Sequence, residues 1–233
     1  MPAVLRRAMS ASSPPPVALA AAGCEPLRPQ PAAQPPPLRV PASARALLGT
    51  RAGAHLWSAC VAIDDVVMGG LSSSHLRVPR VAAAAAAGAP EVPLDSFAGA
   101  AVFEGTVRTE NFGGFASIRC RLAAPAVAAA AECDALLLHV RGDGRAYSLR
   151  AFVGDGADQA YEARFATRRG QRDEIFVPLG SMRARWRGRD VPGAPPLRRV
   201  GDVRAIGLMA LKSDVVGDFA LEVADVFAVG GPG

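Results

Sequence analysis

Lysine and asparagine are all but missing from this 233-residue chain: Lys212 and Asn111 are the only ones. With Ala, Arg, Gly and Pro so abundant, this is the mark of GC-rich coding. The choice of Arg over Lys therefore carries no phosphate-recognition signal. Aromatics make up 6% of the residues, so Ala, Val and Leu must fill much of the core. Two Trp, two Tyr and one Asn also argue against a sugar-stacking surface. No apolar run reaches the roughly 18 residues of a membrane-spanning helix. The alanine-rich stretch at 82–87 is short, is followed by Gly88 and Pro90, and reads as a low-complexity insertion between strands. Cys24, Cys60, Cys120 and Cys133 stand at none of the short separations of zinc-binding pairs. They read as reduced, semi-buried thiols, with a single disulfide left open. His55, His75 and His139 are not at metal-ligand spacing either. No cofactor and no metal is expected.

Acids are missing from the beginning of the chain. Residues 1–63 carry six arginines against Glu25, whereas residues 64–233 hold 20 basic and 20 acidic residues. The formal net charge of +5 thus belongs to the leader. A domain-wide electrostatic footprint on nucleic acid is disfavoured. Prolines crowd residues 1–45 too densely for helix or sheet, which predicts disorder. Ala, Arg and Ser enrichment with acid depletion reads as an organelle transit peptide, against a GC-biased tail with no address. Mitochondrion is favoured, with chloroplast the alternative. The sandwich domain is placed at 50–230.

What remains is apolar and rich in short runs; half of the chain is hydrophobic, enough for an ordinary core. Residues 43–48, closed by Gly49, predict a short helix. Residues 55–58 are the first strand candidate. Further strands are expected at 74–78, 101–108, 114–122, 135–141, 145–153, 160–167, 174–179, 203–211 and 219–229. Several alternate with period two. Tyr147, Leu149, Ala151 and Val153 oppose Ser148 and Arg150, the pattern of a sheet with one buried face. Gly113-Gly114, Gly142-Asp143-Gly144, Gly154-Asp155-Gly156 and Arg169-Gly170 mark turns. Many short strands without intervening helices predict an all-β sandwich or jelly roll.

Trp57 followed by Asp64-Asp65-Val66-Val67-Met68-Gly69-Gly70-Leu71-Ser72 resembles the opening motif of the complex I intermediate-associated protein 30 family. The likeness continues in order through Phe103-Glu104-Gly105-Thr106-Val107 and Asn111-Phe112-Gly113-Gly114-Phe115-Ala116-Ser117-Ile118-Arg119. Arg141-Gly142-Asp143-Gly144-Arg145-Ala146-Tyr147, Trp186-Arg187-Gly188-Arg189, Ile206-Gly207-Leu208-Met209 and 217–223 complete it. Asp64 stands where the family usually has Asn, and the insertion at 81–93 is long. The resemblance implies a galactose-binding-like jelly-roll β-sandwich, here with a disordered N-terminal extension. It also implies a non-catalytic role in assembling membrane electron-transfer complexes, mitochondrial complex I above all. Related domains occur in plastid and cyanobacterial proteins of photosystem biogenesis. Trp57, Asp65, Met68, Gly69, Gly70, Gly113, Gly114, Phe115, Arg119, Gly142, Asp143, Gly144 and Tyr147 are then structural motif residues.

Asp64 and Asp65 invite a metal or acid/base reading, but neighbours on a strand face opposite ways. Acids that hydrogen-bond backbone N–H groups beside a tight turn are the better reading. The paired glycines open no helix, so they are turns and not phosphate loops. Ser72 to Ser74 with His75 lacks a nucleophile elbow. His139 alternates with Leu138 and Val140 and reads as structural. Between 164 and 189, eight arginines face two acids. Trp186, Arg183, Arg185, Arg187 and Arg189 are the candidate partner-binding residues, for an acidic protein, an RNA or an anionic lipid; the alternative is a solvated rim. The expected function is an assembly factor that binds subunits of a membrane complex or other assembly factors, with peripheral membrane association. A plastid factor and a carbohydrate- or RNA-binding sandwich are the alternatives.

Overall fold

The runs of alternating residues become strands because every one of them has a partner. The computed structural model describes residues 40–49, 57, 59–79, 97, 99–154 and 159–230. In chain order the strands are β1 (Arg45–Gly49), β2 (Cys60–Ala62), β3 (Ser73–Arg77), β4 (Ala101–Val107) and β5 (Phe115–Arg121). Then come β6 (Ala135–Arg141), β7 (Ala146–Phe152), β8 (Gln159–Ala166) and β9 (Arg172–Pro178). The last are β10 (Arg183–Trp186), β11 (Arg189–Asp190), β12 (Ala205–Leu211) and β13 (Gly217–Val229). A six-residue helix, α1 (Ala124–Ala129), is the one α-helix among the described residues.

Two antiparallel sheets form. The six-stranded sheet runs β3-β4-β13-β6-β9, with β1 paired to the part of β13 beyond β4. The seven-stranded sheet runs β11-β10-β8-β7-β12-β5-β2. Their facing sides enclose the core. Phe103 of β4, Tyr147 of β7 and Phe219 of β13 bring aromatic rings from both sheets together, with Phe219 centred 4.8 Å from Phe103 and 6.2 Å from Tyr147. Leu136, Leu138 and Val140 of β6 oppose Leu149 of β7 and Ile206 and Leu208 of β12 across the layer. Burying each such side chain contributes about 1.5–3 kcal/mol. Alanines 101, 116, 151, 210 and 228 fill the gaps, as the scarcity of aromatics requires. The architecture is the expected all-β jelly-roll sandwich.

Three expectations change. Residues 43–48 are not a helix: Arg45–Gly49 is a strand, because β13 outruns β4 and offers an edge that Arg45 to Gly49 pair with, burying Leu47 and Leu48. Tertiary pairing overrides a weak local helix signal. The sandwich therefore begins ahead of residue 50. The cysteines are not all reduced thiols. Cys60 lies directly across from Cys120 on β5, and the two form a disulfide; Cys133 is free. In the first strand candidate, Trp57 is buried and is not part of a strand, while His55, Leu56 and Ser58 lie outside the described residues. The insertion at 81–93 and the leader through residue 39 also lie outside them.

Candidate functional site

Asp64 and Asp65 sit between β2 of one sheet and β3 of the other. Asp65 is fully buried in a 3-10 turn (Asp65–Met68). Its Oδ1 accepts the Ser72 amide at 2.9 Å, and its Oδ2 accepts the Ser72 hydroxyl at 2.6 Å and the Gly114 and Phe115 amides at 2.6 and 3.2 Å. Asp64 Oδ1 accepts the Ser74 hydroxyl at 2.6 Å and the Ser117 amide at 2.9 Å, and its Oδ2 accepts the Ser74 amide at 2.7 Å. Both carboxylates therefore join the start of β3 to the start of β5, one in each sheet. Burial pushes the Asp65 carboxyl up, but its hydrogen bonds from Ser72, Gly114 and Phe115 outweigh that and hold it below the ordinary aspartate value. This explains why two motifs far apart in sequence both need glycine. A methyl on Gly70 would overlap the Asp65 carboxylate, and one on Gly113 would lie 2.8 Å from its Oδ2.

An acid so thoroughly bonded is a strut, and its lone pairs are not free for proton transfer or metal binding. Ser72 is committed to Asp65, and His75 Nε2 lies 3.1 Å from Glu104 on the neighbouring strand β4. Among the described residues no group of three His, Cys, Asp or Glu is placed to hold a metal. His139 is buried edge-on to Phe227 and lies 3.6 Å from Glu174. The Gly142-Asp143-Gly144 turn carries the chain from β6 to β7, from one sheet to the other. Asp143 accepts the Arg145 amide at 3.1 Å, and the buried Tyr147 hydroxyl donates to the Ala220 carbonyl at 3.4 Å.

The cavity that offers binding chemistry lies on the outer face of the seven-stranded sheet. A groove of about 580 Å³ is walled by Arg119, Arg150, Arg185, Arg187 and Glu162 over an apolar floor that includes Phe152 and Met209. Strand register creates it. Arg183, Glu162, Arg150, Gly207 and Arg119 stand directly opposite one another across β10, β8, β7, β12 and β5. Gly207 leaves a dip in the middle of that row. A methyl there would come 3.1 Å from the Phe152 ring and 2.8 Å from the Ile118 carbonyl. The ring lies in the dip, with the Arg119 guanidinium 3.8 Å and that of Arg150 5.1 Å from its centroid. Arg150 Nε is 3.8 Å from Glu162 Oε2, and Arg185 Nε is 4.0 Å from Glu162 Oε1. Burial, and next the Glu162 charge working against it, set the Arg150 pKa; the net direction is down, helped by Arg119 and Arg185. At the rim the 3-10 turn exposes Val66, Val67 and Met68 by 61%, 76% and 63%.

The candidate partner-binding residues divide. Arg185 and Arg187 line the groove. Arg183 opens on a separate pocket of about 340 Å³ beside Tyr161 and Asp190. Trp186 and Arg189 are exposed and paired across the β10–β11 hairpin, whose two-residue turn holds Arg187 and Gly188 at φ 48° and 78°. The Arg187 guanidinium lies 4.9 Å from the Trp186 ring centroid. Arg119 and Met68, read as structural motif residues, also line the groove, with Phe115. Sequence reading missed Arg150, Glu162 and Met209. The signal was there at Phe152, an aromatic on the face that Ser148 and Arg150 mark as polar. That face is not simply solvated: Ser117, Ser148 and Glu162 on it are buried.

Solved structures with this architecture include a family 11 carbohydrate-binding module from Clostridium thermocellum, in complex with a β-1,3-1,4-mixed-linked tetrasaccharide. It is 11% identical, with 81% of this chain and 96% of that one covered and a TM-score of 0.50. A solution structure of the module CtCBM11 is 14% identical over 82% of this chain and 96% of the other, also at 0.50. At such identity the likeness is one of fold. No curated protein matches the chain. Among the described residues no helix is long and apolar enough to cross a membrane. The family model for complex I intermediate-associated protein 30 matches residues 52–223, a span that runs from ahead of the Asp64-Asp65 strut into the closing strand. The chain therefore belongs to the complex I intermediate-associated protein 30 family, which is associated with complex I assembly.

Proposed function

We propose that this protein is a non-catalytic assembly factor for a membrane electron-transfer complex, with mitochondrial complex I as its client. Family membership supports the process. The observation that carries the binding role is the arginine-walled groove beside the exposed Val66-Val67-Met68 turn, a combination suited to recognition and not to bond making. Its partners are subunits of the complex or other assembly factors, and any contact with the membrane is peripheral. The Ala/Arg-rich leader acts as the transit peptide, to the mitochondrion first and to the chloroplast as the alternative.

Deleting the gene and resolving membrane complexes on native gels tests the role. Loss of mature complex I with accumulation of a subcomplex is expected. Normal complex I alongside depleted photosystems would move the client to the plastid, and normal levels of both would reject the role. Imaging a fluorescent fusion of residues 1–50 tests the address separately.

A further inference from the structure

We infer that the turn between β2 and β3 inserts into the surface of a lipid bilayer, with Val66, Val67, Met68 and Leu71 reaching below the headgroups. The inference takes from the assembly-factor reading only that a membrane is at hand. Among the described residues eight large hydrophobic side chains are exposed, and five of them, Val61, Val66, Val67, Met68 and Leu71, lie between positions 61 and 71. No side chain from Val66 through Leu71 is polar. The only charged residues in that stretch are Asp64 and Asp65, and both turn inward. Asp65 is fully buried, and the Asp64 carboxylate is taken up by Ser74 and Ser117. A segment whose acids are folded away and whose aliphatics stand in water is the mark of an interaction surface. Each valine-sized side chain it buries is worth about tenfold in partition.

The shape of the tip selects the partner. Successive residues of a 3-10 turn stand about 120° apart around its axis, so Val66, Val67 and Met68 point in different directions. Val67 and Met68 border the groove, and Val66 and Leu71 lie outside its lining. A flat protein surface covers one side of such a tip, whereas a fluid acyl layer closes around it. The tip also carries its own backbone bonds. The Gly69 amide donates to the Val66 carbonyl and the Gly70 amide to the Asp65 carbonyl, both at 3.0 Å, and the Val67 amide donates to the Asp64 carbonyl at 3.4 Å. These groups lose little on leaving water. Beneath them the Asp65 carboxylate fixes the turn to both sheets through Ser72, Gly114 and Phe115, which lowers the ordering cost of docking. An apolar surface of this kind settles about 5–10 Å into the boundary between headgroups and acyl chains, so the docking is peripheral.

The test is flotation of the full chain with phosphatidylcholine vesicles. Neutral lipid and about 0.5 M sodium chloride together remove adsorption by the basic leader, because exposed charges are then screened within about 4 Å. Flotation that persists at high salt is expected. Val67→Asp should lower the partition about tenfold or more, since it replaces the most exposed aliphatic of the tip with a charge. Val67→Trp places an interface-seeking ring at the same position and should raise the partition severalfold. Phe176→Ser removes a side chain that is 47% exposed on β9 of the other sheet and should change nothing. Urea midpoints show that the variants are folded, and the Trp variant tests the tip without a new charge. No flotation, flotation that vanishes at high salt, indifference to both Val67 variants, or an equal loss from Phe176→Ser overturns the inference. Flotation and gene deletion answer separately. Failed flotation with complex I lost in the deletion strain removes the membrane tip alone, whereas flotation with complex I intact in the deletion strain removes the assembly role alone.

Discussion

The outer faces of the two sheets carry similar residues and treat them differently. On the six-stranded sheet, charges are matched across neighbouring strands. His75 stands opposite Glu104, which also pairs with Arg77; Thr106 stands opposite Asp218 and donates to it at 2.6 Å; Arg141 stands opposite Glu222 and pairs with it. On the seven-stranded sheet, a transverse row brings Arg183, Arg150 and Arg119 into line with Glu162. The first face is balanced by its own residues. The second gathers arginines in a recess around the Phe152 ring. The two faces therefore differ in how their charges are spaced and buried, and arginine content alone does not separate them.

The most damaging break is Asp65→Ala, because it severs the tie between the sheets and leaves buried donors from Ser72, Gly114 and Phe115 unsatisfied. A loss of about 3–5 kcal/mol is expected from urea denaturation midpoints, and both faces should fail together. The same carboxyl sets a pH dependence. Its pKa is depressed in the folded state, so its contribution is complete above the unfolded value near 3.8 and disappears as pH falls through the lower folded value. An acid titration in which Asp65→Asn unfolds at the same pH as the parent would remove Asp65 from that role. Next is the disulfide. Cys60→Ser with Cys120→Ser should cost about 2–4 kcal/mol, and hydrogen exchange should rise in β2 and β5 while the β4–β13 ladder stays protected. Equal loosening of both sheets would break the comparison. Glu162→Gln sharpens it. The variant takes the charge from a carboxyl that lies within 4.0 Å of both Arg150 and Arg185, at a cost of about 1 kcal/mol in urea denaturation. Glu222→Gln on the balanced, more exposed face, which breaks the Arg141 pair, should cost no more than about 1 kcal/mol.

Much of the sandwich is written in local pattern. Tyr147, Leu149 and Ala151 alternate with Ser148 and Arg150, and glycines stand at the turns, so strand and inner face follow from neighbours along the chain. Asp64 and Asp65 were readable as acids that bond backbone amides, though not that those amides belong to both sheets. The groove was not readable, because Arg119, Arg150 and Arg185 meet through strand order and register, which no local window encodes. Cys60 and Cys120 escaped for the same reason, since β2 is only three residues long and its register decides the bond. Arg45–Gly49 was misread because its partner lies at the opposite end of the chain.

The way β3 and β4 are held has a consequence for chain length. Arg77 pairs with Val102, and Asp64 and Asp65 anchor the entry to β3. The two strands are thus held at the ends of the connection by contacts made outside it. Each doubling of a connection's length adds only about 0.6 kcal/mol to the cost of closing it. A reporter or affinity sequence spliced between Val78, which packs on the core, and the buried Phe97 is accordingly expected to lengthen the chain and leave the sandwich as it is.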